Sequence, residues 1–554
     1  MNENSDYLRV IPLGGLNQFG MNCCVIECND SLLLLDCGLT FPDTPNFGID
    51  YIIPDYTWLL DNIERLEAVV LTHGHEDHIG GLPFLLEEVD VPIVGGKLTL
   101  AMIKRKLQEY DVEDVAYFEV QPGDTMRLGP FNLEFIHVNH SIPGAMSVKI
   151  DTPVGRLIFT GDWKLDQTPI GEPVMDLATF ARLGDEGVLA LLGDSTNVDV
   201  PGMSGSEADV QIALANVIKN ASGRVIIALF SSNLHRVAGV LHSAVKHGRK
   251  VCLLGRSLER NYELASELGM LDLPKGSVLI KPDEINRTKD DDLVILCTGS
   301  QAEPRSSLTR MAHDDHNIVK LKDTDTVVFS ARVIPGNETG IYRMLDALSR
   351  KDVTVITSKH QPVHASGHSQ REEIKLLLNL TKPRYMVPMH GDFRVRQAHG
   401  ELARQVTKSI PMVIDDGDIL EFTKGSAKVV GRVPIGRVAI DGKAVGDIDD
   451  IQIRDRMRLA ASGIIVAFLI LDGSNGNISD GPRLLHHGFL PIGDETDRRL
   501  AEAAKYAREQ LDQMSPQARQ DLGEVQESLR TSIRRFFRKR SDKKPVVVPV
   551  VHEL

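Results

Sequence analysis

Three histidines and two acids lie in one short segment, His73-Gly74-His75-Glu76-Asp77-His78, directly after the predicted strand 68–72. Imidazole nitrogens and carboxylate oxygens are ligands that suit Zn²⁺ and Mn²⁺. One ion cannot use all of these side chains at such short spacing without strain, whereas two adjacent ions can divide them. A polar loop with chance histidines is the alternative, but HxHxDH after a buried strand favours a two-metal site.

Further candidate ligands stand directly after other apolar runs. They are His140, Asp162 and His390. A single histidine at the end of a strand is more often structural than a metal ligand. Strand ends in an α/β sheet meet at one edge, however, so the shared position of the three favours a common site. We exclude His137, which lies on the opposite face of the strand that precedes His140.

The elements that must position these residues are short apolar segments, and short runs rich in Val, Ile and Leu are typical of buried strands. The segments are 32–36, 68–72, 156–160, 188–193, 224–230, 293–299 and 326–330. Several of them precede helical patterns, such as 79–89 and 206–220. Strands that alternate with helices predict an α/β architecture.

Length and composition exclude several classes of protein. The chain has 554 residues and a formal net charge of −15, so it is large enough for several domains and is not coated with nucleic-acid-binding charge. Its longest apolar run, Ile464 to Leu471, is far too short to span a bilayer. The N-terminus lacks the apolar core of a signal peptide. Six cysteines without a CxxC pair do not form a disulfide framework. We expect a cytoplasmic protein without membrane contact.

The pattern changes near residue 448. It becomes helical from Glu502, and Arg530 to Lys544 contains eight basic residues and one acid. The last segment predicts a terminal strand. The basic run is either a solvated helix face or a contact for RNA or another subunit.

These motifs resemble the metallo-β-lactamase fold and, more narrowly, the β-CASP nucleases and the bacterial ribonuclease J family. The motifs of the catalytic region are HGHEDHIGG (73–81), VNHSIPGA (138–145), FTGDWKLD (159–166), GDSTN (193–197), HASGHSQREE (364–373) and PMHGD (388–392). Those of the C-terminal region are IDGKAVGDI (440–448), RDRMRLAASGIIV (454–466) and RRFFRKRSDKKPVVVPVV (534–551). The resemblance therefore covers nearly the whole chain. Two positions depart from the family pattern: Gln18 replaces an acid, and His487 stands where an arginine is common.

The resemblance implies an α/β fold in which a metallo-β-lactamase αββα sandwich carries an inserted α/β β-CASP domain and a small α+β C-terminal domain. The implied domains are 1–208 for the first part of the sandwich, 209–372 for the β-CASP domain, 373–447 for the second part and linker, and 448–554 for the C-terminal domain. The C-terminal domain is expected to support oligomerisation and RNA degradation.

The resemblance also assigns the ligands of two divalent ions per subunit, Zn²⁺ or alternatively Mn²⁺. One ion is assigned to His73, His75, His140 and Asp162, and the other to Asp77, His78 and His390, with Asp162 shared. Two such ions activate water and stabilise charge in phosphodiester hydrolysis. Besides binding the second ion, Asp77 is a candidate to orient or deprotonate the attacking water. Asp194 is expected to orient a histidine, and Asp36 is either a similar support or a plain turn residue.

A phosphate pocket is expected beside the metals. His368 is the candidate general acid for the leaving oxygen, and His364 the candidate phosphate ligand. Ser231, Asn233, Ser366 and Gly367 add polar groups that can bind a dianion. In the family this pocket receives the 5′-monophosphate of RNA. Ligand or structural histidines, and chance polar residues at Ser231 to Asn233, remain alternatives.

The expected function is bifunctional 5′→3′ exonucleolytic and endonucleolytic hydrolysis of single-stranded RNA, with 5′-phosphate products, in mRNA decay and rRNA maturation. We expect a preference for 5′-monophosphorylated RNA, a homodimer or homotetramer, and partners in RNA degradation. A β-CASP DNA repair nuclease and a catalytically silent scaffold are the alternatives. The C-terminal region favours RNA, and the presence of all candidate ligands favours catalysis.

Overall fold

The computed structural model describes residues 6–42, 48–275, 278–334, 336–442, 444–447, 451–540 and 544–554. The domain boundary expected at 447/448, and parts of the motifs at 440–448 and 534–551, lie outside these residues. The strands are β1 (Leu8–Gly14), β2 (Cys23–Cys28), β3 (Ser31–Leu35), β4 (Tyr51–Pro54), β5 (Leu66–Val70), β6 (Ile93–Gly95), β7 (Tyr117–Glu119), β8 (Thr125–Leu128), β9 (Phe131–His137), β10 (Met146–Asp151), β11 (Arg156–Phe159), β12 (Ala190–Asp194), β13 (Val225–Ala228), β14 (Lys250–Leu254), β15 (Leu293–Cys297), β16 (Thr326–Phe329), β17 (Thr354–Ile356), β18 (Tyr385–Met389), β19 (Ile410–Pro411), β20 (Asp418–Phe422), β21 (Ala427–Arg432), β22 (Arg437–Asp441), β23 (Ala444–Asp447), β24 (Ile464–Asp472), β25 (Asn477–His487) and β26 (Val546–Glu553).

The α-helices are α1 (Thr57–Leu60), α2 (Glu76–Ile79), α3 (Leu82–Leu86), α4 (Lys97–Glu109), α5 (Leu177–Glu186), α6 (Glu207–Asn220), α7 (Leu234–Lys246), α8 (Arg256–Glu267), α9 (Ser307–Ala312), α10 (Glu338–Ser349), α11 (Arg371–Thr381), α12 (Phe393–Thr407), α13 (Ile451–Ser462), α14 (Asp494–Asp512), α15 (Pro516–Arg519) and α16 (Leu522–Arg538). Short 3₁₀ helices occupy Ile63–Arg65, Pro282–Arg287 and Asp290–Asp292.

Two large sheets face each other across one apolar core. Their strand orders are β21-β20-β1-β2-β3-β5-β6-β7 and β19-β18-β12-β11-β10-β9-β8. The run at β3 is apolar throughout because Leu33 and Leu35 enter the core between the sheets, while Leu32 and Leu34 face the helices outside. Helices α3 and α4 cover the first sheet, and α5, α11 and α12 cover the second. The predicted αββα sandwich is confirmed.

The chain leaves the sandwich after β12 and returns with α11. Between them lies a parallel sheet of order β14-β15-β13-β16-β17, with α6 and α7 packed in one of its two cores and α9 and α10 in the other. All five strands are parallel, so their carboxyl ends share one edge. The inserted α/β domain is therefore present as predicted, whereas its boundary residues remain predictions.

Contacts divide the chain into two compact units, Met1–Asp43 with Tyr51–Lys443 and Thr44–Asp50 with Ala444–Leu554. In the second unit, β24 pairs with β25 and β26, and α14 and α16 pack on this sheet. Helix α14 begins at Asp494, eight residues before the predicted start, because its acidic first turn suits the positive end of a helix. Basic residues of α16 such as Arg534 and Arg535 are exposed. No helix among the described residues could cross a bilayer.

The helical pattern predicted for 79–89 is two short helices, α2 and α3, separated by Gly80 and Gly81. A Cβ on Gly81 would lie 2.3 Å from the Tyr56 hydroxyl oxygen and 2.8 Å from the Gly38 carbonyl oxygen. The segment therefore needs glycine where it passes Tyr56, and this close approach brings the metal-binding motif against the loop after β3.

Asp416 is a partly buried acid in the sandwich, and its Oδ1 accepts a hydrogen bond from the Leu16 N–H at 3.2 Å. Burial raises its pKa to about 7, despite the lowering effects of this N–H and of Arg396. An unfolded aspartate has a pKa of about 3.9, so the folded state retains a proton between about pH 4 and pH 7 and loses stability as the pH rises through this window.

We expect Asp416→Asn to raise the free energy of unfolding at pH 8 by roughly 2 kcal/mol, because the amide carries no charge to bury. The gain should shrink at pH 5, where the native carboxyl is already protonated. Urea unfolding at both pH values measures it, with the exposed Asp61→Asn as control. An equal gain at both pH values would exclude titration of Asp416 as its source.

Candidate metal centre

The candidate ligands lie on loops at one edge of the sandwich. The segment 71–75 joins β5 to α2, and His140, Asp162 and His390 follow β9, β11 and β18. The start of α2 passes very close to the loop after β3: a Cβ on Gly38 would lie 1.7 Å from the Asp77 carbonyl oxygen. His390 adopts a φ of +50°, a conformation that non-glycine residues adopt rarely and mostly at functional sites.

The first candidate ion site consists of His73, His75, His140 and Asp162, whose ligand atoms lie within 4.8 Å of one another. Nδ1 of His75 is 3.0 Å from Nε2 of His73 and from Nε2 of His140. Asp162 Oδ2 lies 3.8 Å from both Nε2 atoms. The structure therefore brings together the four residues assigned to the first ion.

The outer ring nitrogens of these histidines have partners of their own. His140 Nδ1 lies 2.6 Å from the carbonyl oxygen of Gly367, so it donates a proton there and leaves Nε2 with a free lone pair. His75 Nε2 lies 2.9 Å from Ser232 Oγ. Partners of this kind fix the tautomer and orientation of a metal-ligating histidine. A Cβ on Gly367 would lie 2.8 Å from His140 Cε1, so this position requires glycine.

The second candidate site consists of Asp77, His78, Asp162 and His390. Nε2 of His78 lies 3.2 Å from Asp162 Oδ2 and 3.6 Å from Asp77 Oδ2. The Asp77 carboxylate also lies 3.6 Å from Nε2 of His390. Asp162 thus belongs to both sites, as the resemblance implies. Asn22, whose role the sequence did not reveal, places Nδ2 3.0 Å from Nε2 of His78.

The residues present fit two divalent ions. Nε2 of His390 is buried without a hydrogen-bond partner among the described residues, as expected of an atom that faces an ion. In the first site, ring nitrogens of His73, His75 and His140 converge at 3.0 Å. Nitrogen and carboxylate oxygen together suit Zn²⁺ and also accept Mn²⁺.

The protonation states differ between the two sites. Burial lowers the pKa of His75 to about 4, and burial together with neighbouring histidines holds the pKa values of His73 and His140 well below normal. These rings are neutral, the form that binds metal. Burial also acts to lower the pKa values of His78 and His390, but the surrounding carboxylates, Asp162 first, raise both well above normal.

Asp36 supports the second site from behind. Its Oδ2 lies 2.8 Å from Nδ1 of His78, and its Oδ1 accepts a 2.8 Å hydrogen bond from the Thr72 N–H. Asp36 is fully buried and adopts a φ of +56°. Of the two interpretations of this residue, the geometry therefore favours the support of a ligand histidine.

We expect Asp36→Asn to weaken metal binding roughly 10- to 100-fold, the usual effect of losing the partner of a ligand histidine. Asparagine tolerates the positive φ, so the loop should fold. Chelator competition with Zn²⁺ measures the effect, and the exposed Asp30→Asn is the matched control. Unchanged zinc affinity in Asp36→Asn would show that His78 does not depend on this carboxylate.

His368 and Asp194 form a separate pair beside the ions. Nδ1 of His368 donates to Asp194 Oδ2 at 2.8 Å. Burial acts to lower the pKa of His368, but Asp194 and Asp162 outweigh it and raise the pKa. The raised pKa favours the ring that carries a proton on Nε2 as well as on Nδ1, the form that a general acid requires. His368, Asp194, Asp162 and His390 also form a third group close enough to hold an ion, so the alternative of a ligand role for His368 remains.

The loop 364–368 carries the other candidate phosphate groups. Nδ1 of His364 lies 3.2 Å from the Arg236 guanidinium and must accept from it, so the proton of the neutral ring is on Nε2. Burial, Arg236, Lys164 and Arg332 hold the pKa of His364 well below normal. Ser366 Oγ accepts from the His368 N–H at 3.1 Å. A neutral donor surrounded by cations suits an anion.

The segment Ser231-Ser232-Asn233, predicted to bind phosphate, makes other contacts in the structure. Asn233 caps α7, and its Oδ1 accepts the Arg236 N–H at 3.2 Å. The Ser231 carbonyl accepts from Asn261. The hydroxyl that contacts the metal cluster is that of Ser232, on His75. The phosphate-binding roles of Ser231 and Asn233 remain predictions.

Sequence reasoning also missed Arg332 and Asn197. Arg332 Nη1 donates to Asn197 Oδ1. Asn197 Nδ2 in turn donates to Ser366 Oγ at 2.9 Å and to the His368 carbonyl at 3.2 Å. Gln18, which departs from the family pattern, makes a backbone bridge to Gly391, next to His390. No spacing signal in the sequence links these positions.

Four protein-family models match the chain. They are the metallo-beta-lactamase superfamily (residues 16–173), the ribonuclease J beta-CASP domain (222–348), the Zn-dependent metallo-hydrolase RNA specificity domain (352–414) and the ribonuclease J C-terminal domain (451–554). Together they cover both halves of the sandwich, the inserted domain and the C-terminal unit.

Three curated relatives match over at least 97% of their length. Ribonuclease J 1 of Streptococcus pyogenes is 37% identical over 551 residues, which cover 98% of this chain and 97% of the relative. Ribonuclease J of Mycobacterium tuberculosis is 37% identical over 550 residues, with 99% and 97% covered. Ribonuclease J2 of Bacillus subtilis is 34% identical over 555 residues, with both chains fully covered.

One solved structure, of a protein of unknown function from Enterococcus faecalis V583, has a TM-score of 0.52 and 17% identity. It covers 75% of this chain and 100% of its own. At this identity the likeness supports the fold alone.

Proposed function

The chain belongs to the ribonuclease J family and is a metal-dependent nuclease that acts on RNA, and we propose that it trims single-stranded RNA 5′→3′ and also cuts it internally. The products would carry 5′ phosphates. The proposed roles are mRNA decay and rRNA maturation in the cytoplasm, with Zn²⁺ as the resident ion and Mn²⁺ as the alternative.

The observation that carries this proposal is the direct contact between the loop 364–368 and the metal cluster. The Gly367 carbonyl accepts from His140, a candidate ligand of the first ion, and His368 pairs with Asp194 beside the second site. A 5′ phosphate held by this loop would therefore lie next to the centre of hydrolysis. If the 5′ end of the RNA binds there, its terminal nucleotide is the one that is released.

When bound, the two ions would activate water and offset the negative charge of the phosphoryl group. The protein supplies the proton for the leaving group: Nε2–H of His368 would donate to the departing 3′ oxygen, and Asp194 holds the ring through Nδ1. Asp77, whose side chain is 32% exposed, is the carboxylate that can orient or deprotonate the attacking water. Loss of the 3′ oxygen leaves the phosphate on the downstream product.

The 5′ phosphate itself would be bound by Nε2–H of His364 and by Ser366 and the N–H groups beside Gly367. Three cations act on His364. Arg236 and Lys164 are paired with Glu207 and Asp166, so Arg332 is the one that adds a favourable field for a dianion. The preference for a 5′ monophosphate is proposed on the basis of family membership.

We expect His364→Ala to reduce kcat/KM for 5′-monophosphorylated RNA about 10- to 100-fold, since a hydrogen bond to a charged group contributes about 1.5–3 kcal/mol. Internal cleavage of 5′-triphosphorylated RNA should change little. The measurement compares mononucleotide release and internal cuts on one RNA in both 5′ states.

His313→Ala, which removes an exposed histidine of the same domain, is the control and should cleave like the wild type. Equal rates on both 5′ states in the wild-type protein would remove the phosphate pocket from the proposal but retain the nuclease. Cleavage of DNA without cleavage of RNA would overturn the RNA assignment itself.

We also propose that the chain assembles as a homodimer or homotetramer, with partners in RNA degradation, on the basis of family membership. Sedimentation at micromolar concentration tests the self-association. A stable, fully active monomer would contradict it.

A further inference from the structure

A cavity of about 550 Å³ opens at the carboxyl ends of β14 and β15 in the inserted domain. The loops after these strands and the first turn of α8 line it. None of the metal-cluster residues and none of the residues 364–368 is among the lining residues. Open parallel sheets bind ligands outside the carboxyl ends of their strands, so this cavity occupies a position suited to a ligand.

Hydrogen-bond donors dominate the wall beside α8. Arg256 and Arg305 line the cavity, and neither has an acidic partner within the part of the chain that the structure describes. Helix α8 begins after Gly255, which offers no side chain to cap the helix. The backbone N–H groups of the first turn are therefore available beside the two guanidinium groups.

A buried histidine supplies an independent sign of a ligand. His316 also lines the cavity and is only 7% exposed. Its Nδ1 accepts the N–H groups of Ile318 and Val319 at 3.3 and 3.1 Å. The proton of the neutral ring is therefore on Nε2. Among the described residues, this N–H has no hydrogen-bond partner.

The acids of the cavity do not cancel its cations. Asp315 is paired with the third arginine, Arg310, at 3.5 Å. Burial raises the pKa of Glu259, whereas the Gly255 N–H acts to lower it. The cavity therefore has three guanidinium groups, of Arg256, Arg305 and Arg310, against the two carboxyl groups of Asp315 and Glu259.

We propose that this cavity binds the phosphate group of a nucleotide at a site separate from the active site. Two guanidinium groups, the start of a helix and a neutral imidazole N–H are all donors, which suits a phosphate and not a cation. The volume admits a mononucleotide, and Pro282, Pro304 and Ile318 add apolar lining for its sugar and base. The phosphate would come from a free nucleotide or from the backbone of bound RNA.

The test measures binding of AMP and of a short 5′-hydroxyl RNA with non-hydrolysable linkages by calorimetry to the full-length, metal-loaded protein. All variants carry His364→Ala, which removes phosphate binding in the active site. We expect Arg256→Gln/Arg305→Gln to bind the ligand at least about 10-fold more weakly than the His364→Ala parent, since each guanidinium–phosphate contact contributes about 1.5–3 kcal/mol. Arg260→Gln, which removes a charge from the same helix outside the cavity, should match the parent.

Weaker binding of AMP alone would assign the site to free nucleotides, and weaker binding of the RNA alone would assign it to the RNA backbone. The proposal is wrong if the double variant binds both ligands as tightly as the parent, or if the parent binds neither. Because the assay measures binding without cleavage, its failure leaves the proposed ribonuclease activity untouched.

Discussion

Asp162→Asn should abolish RNA cleavage, with a fall in kcat/KM of at least about 10³-fold. Asp162 is the one residue common to all three groups of candidate ligands within the described chain. Its Oδ2 lies 3.2 Å from His78, and its Oδ1 lies 3.3 Å from His390. An amide supplies neither the charge nor the shared oxygen, and bound ions contribute several kcal/mol of transition-state stabilisation.

Metal content distinguishes this effect from misfolding. Elemental analysis should find two ions per wild-type chain and fewer in Asp162→Asn, with circular dichroism unchanged. Asp185→Asn, which changes an exposed acid of the same sandwich, should retain both ions and full activity. If Asp162→Asn lacked the ions and still cleaved RNA at the wild-type rate, the ions would have no role in catalysis.

His368→Ala should lower kcat about 10²- to 10⁴-fold, the usual contribution of a general acid, while both ions stay bound. In the proposed mechanism Nε2 of His368 is the donor for the leaving 3′ oxygen, because Nδ1 is engaged with Asp194. Asp194→Asn should lower kcat by a smaller factor, since the His368 ring remains but loses the carboxylate that orients it.

A sulfur leaving group tests the assigned role. RNA with a 3′-bridging sulfur at the scissile bond needs no protonation to depart, so it should restore His368→Ala to within about 10-fold of the wild type. His364→Ala, which changes a histidine of the same loop, should gain no such rescue. A loss of bound metal in His368→Ala without rescue would show that His368 is a ligand, as its membership of the third group allows.

The ligands were predictable because each bears a local signal. The spacing of His73 to His78 is itself a metal motif, and His140, Asp162 and His390 all stand directly after apolar strands. An apolar strand followed by a polar residue places that residue at the sheet edge, whatever the details of packing. The same logic predicted an α/β architecture, whereas the sandwich and the inserted domain were expected from the family resemblance.

The supporting residues were not predictable in this way. Asn22, Ser232 and Arg332 contact the site from loops that are close only in the folded chain. Asn233 did carry a local signal, since an asparagine before an apolar helical pattern is a typical N-cap. That signal explains why its oxygen serves α7.

We propose that the protein hydrolyses RNA from the 5′ end of the RNA and leaves 5′ phosphates. Mass spectrometry of the products tests this most directly. A 5′-monophosphorylated single-stranded RNA would be digested by the full-length protein with Zn²⁺ or Mn²⁺ in ¹⁸O-labelled water. We predict nucleoside 5′-monophosphates that carry one ¹⁸O each, except the unlabelled 5′-terminal nucleotide. Products that end in 3′ phosphates or 2′,3′-cyclic phosphates would contradict both the attacking water and the leaving 3′ oxygen.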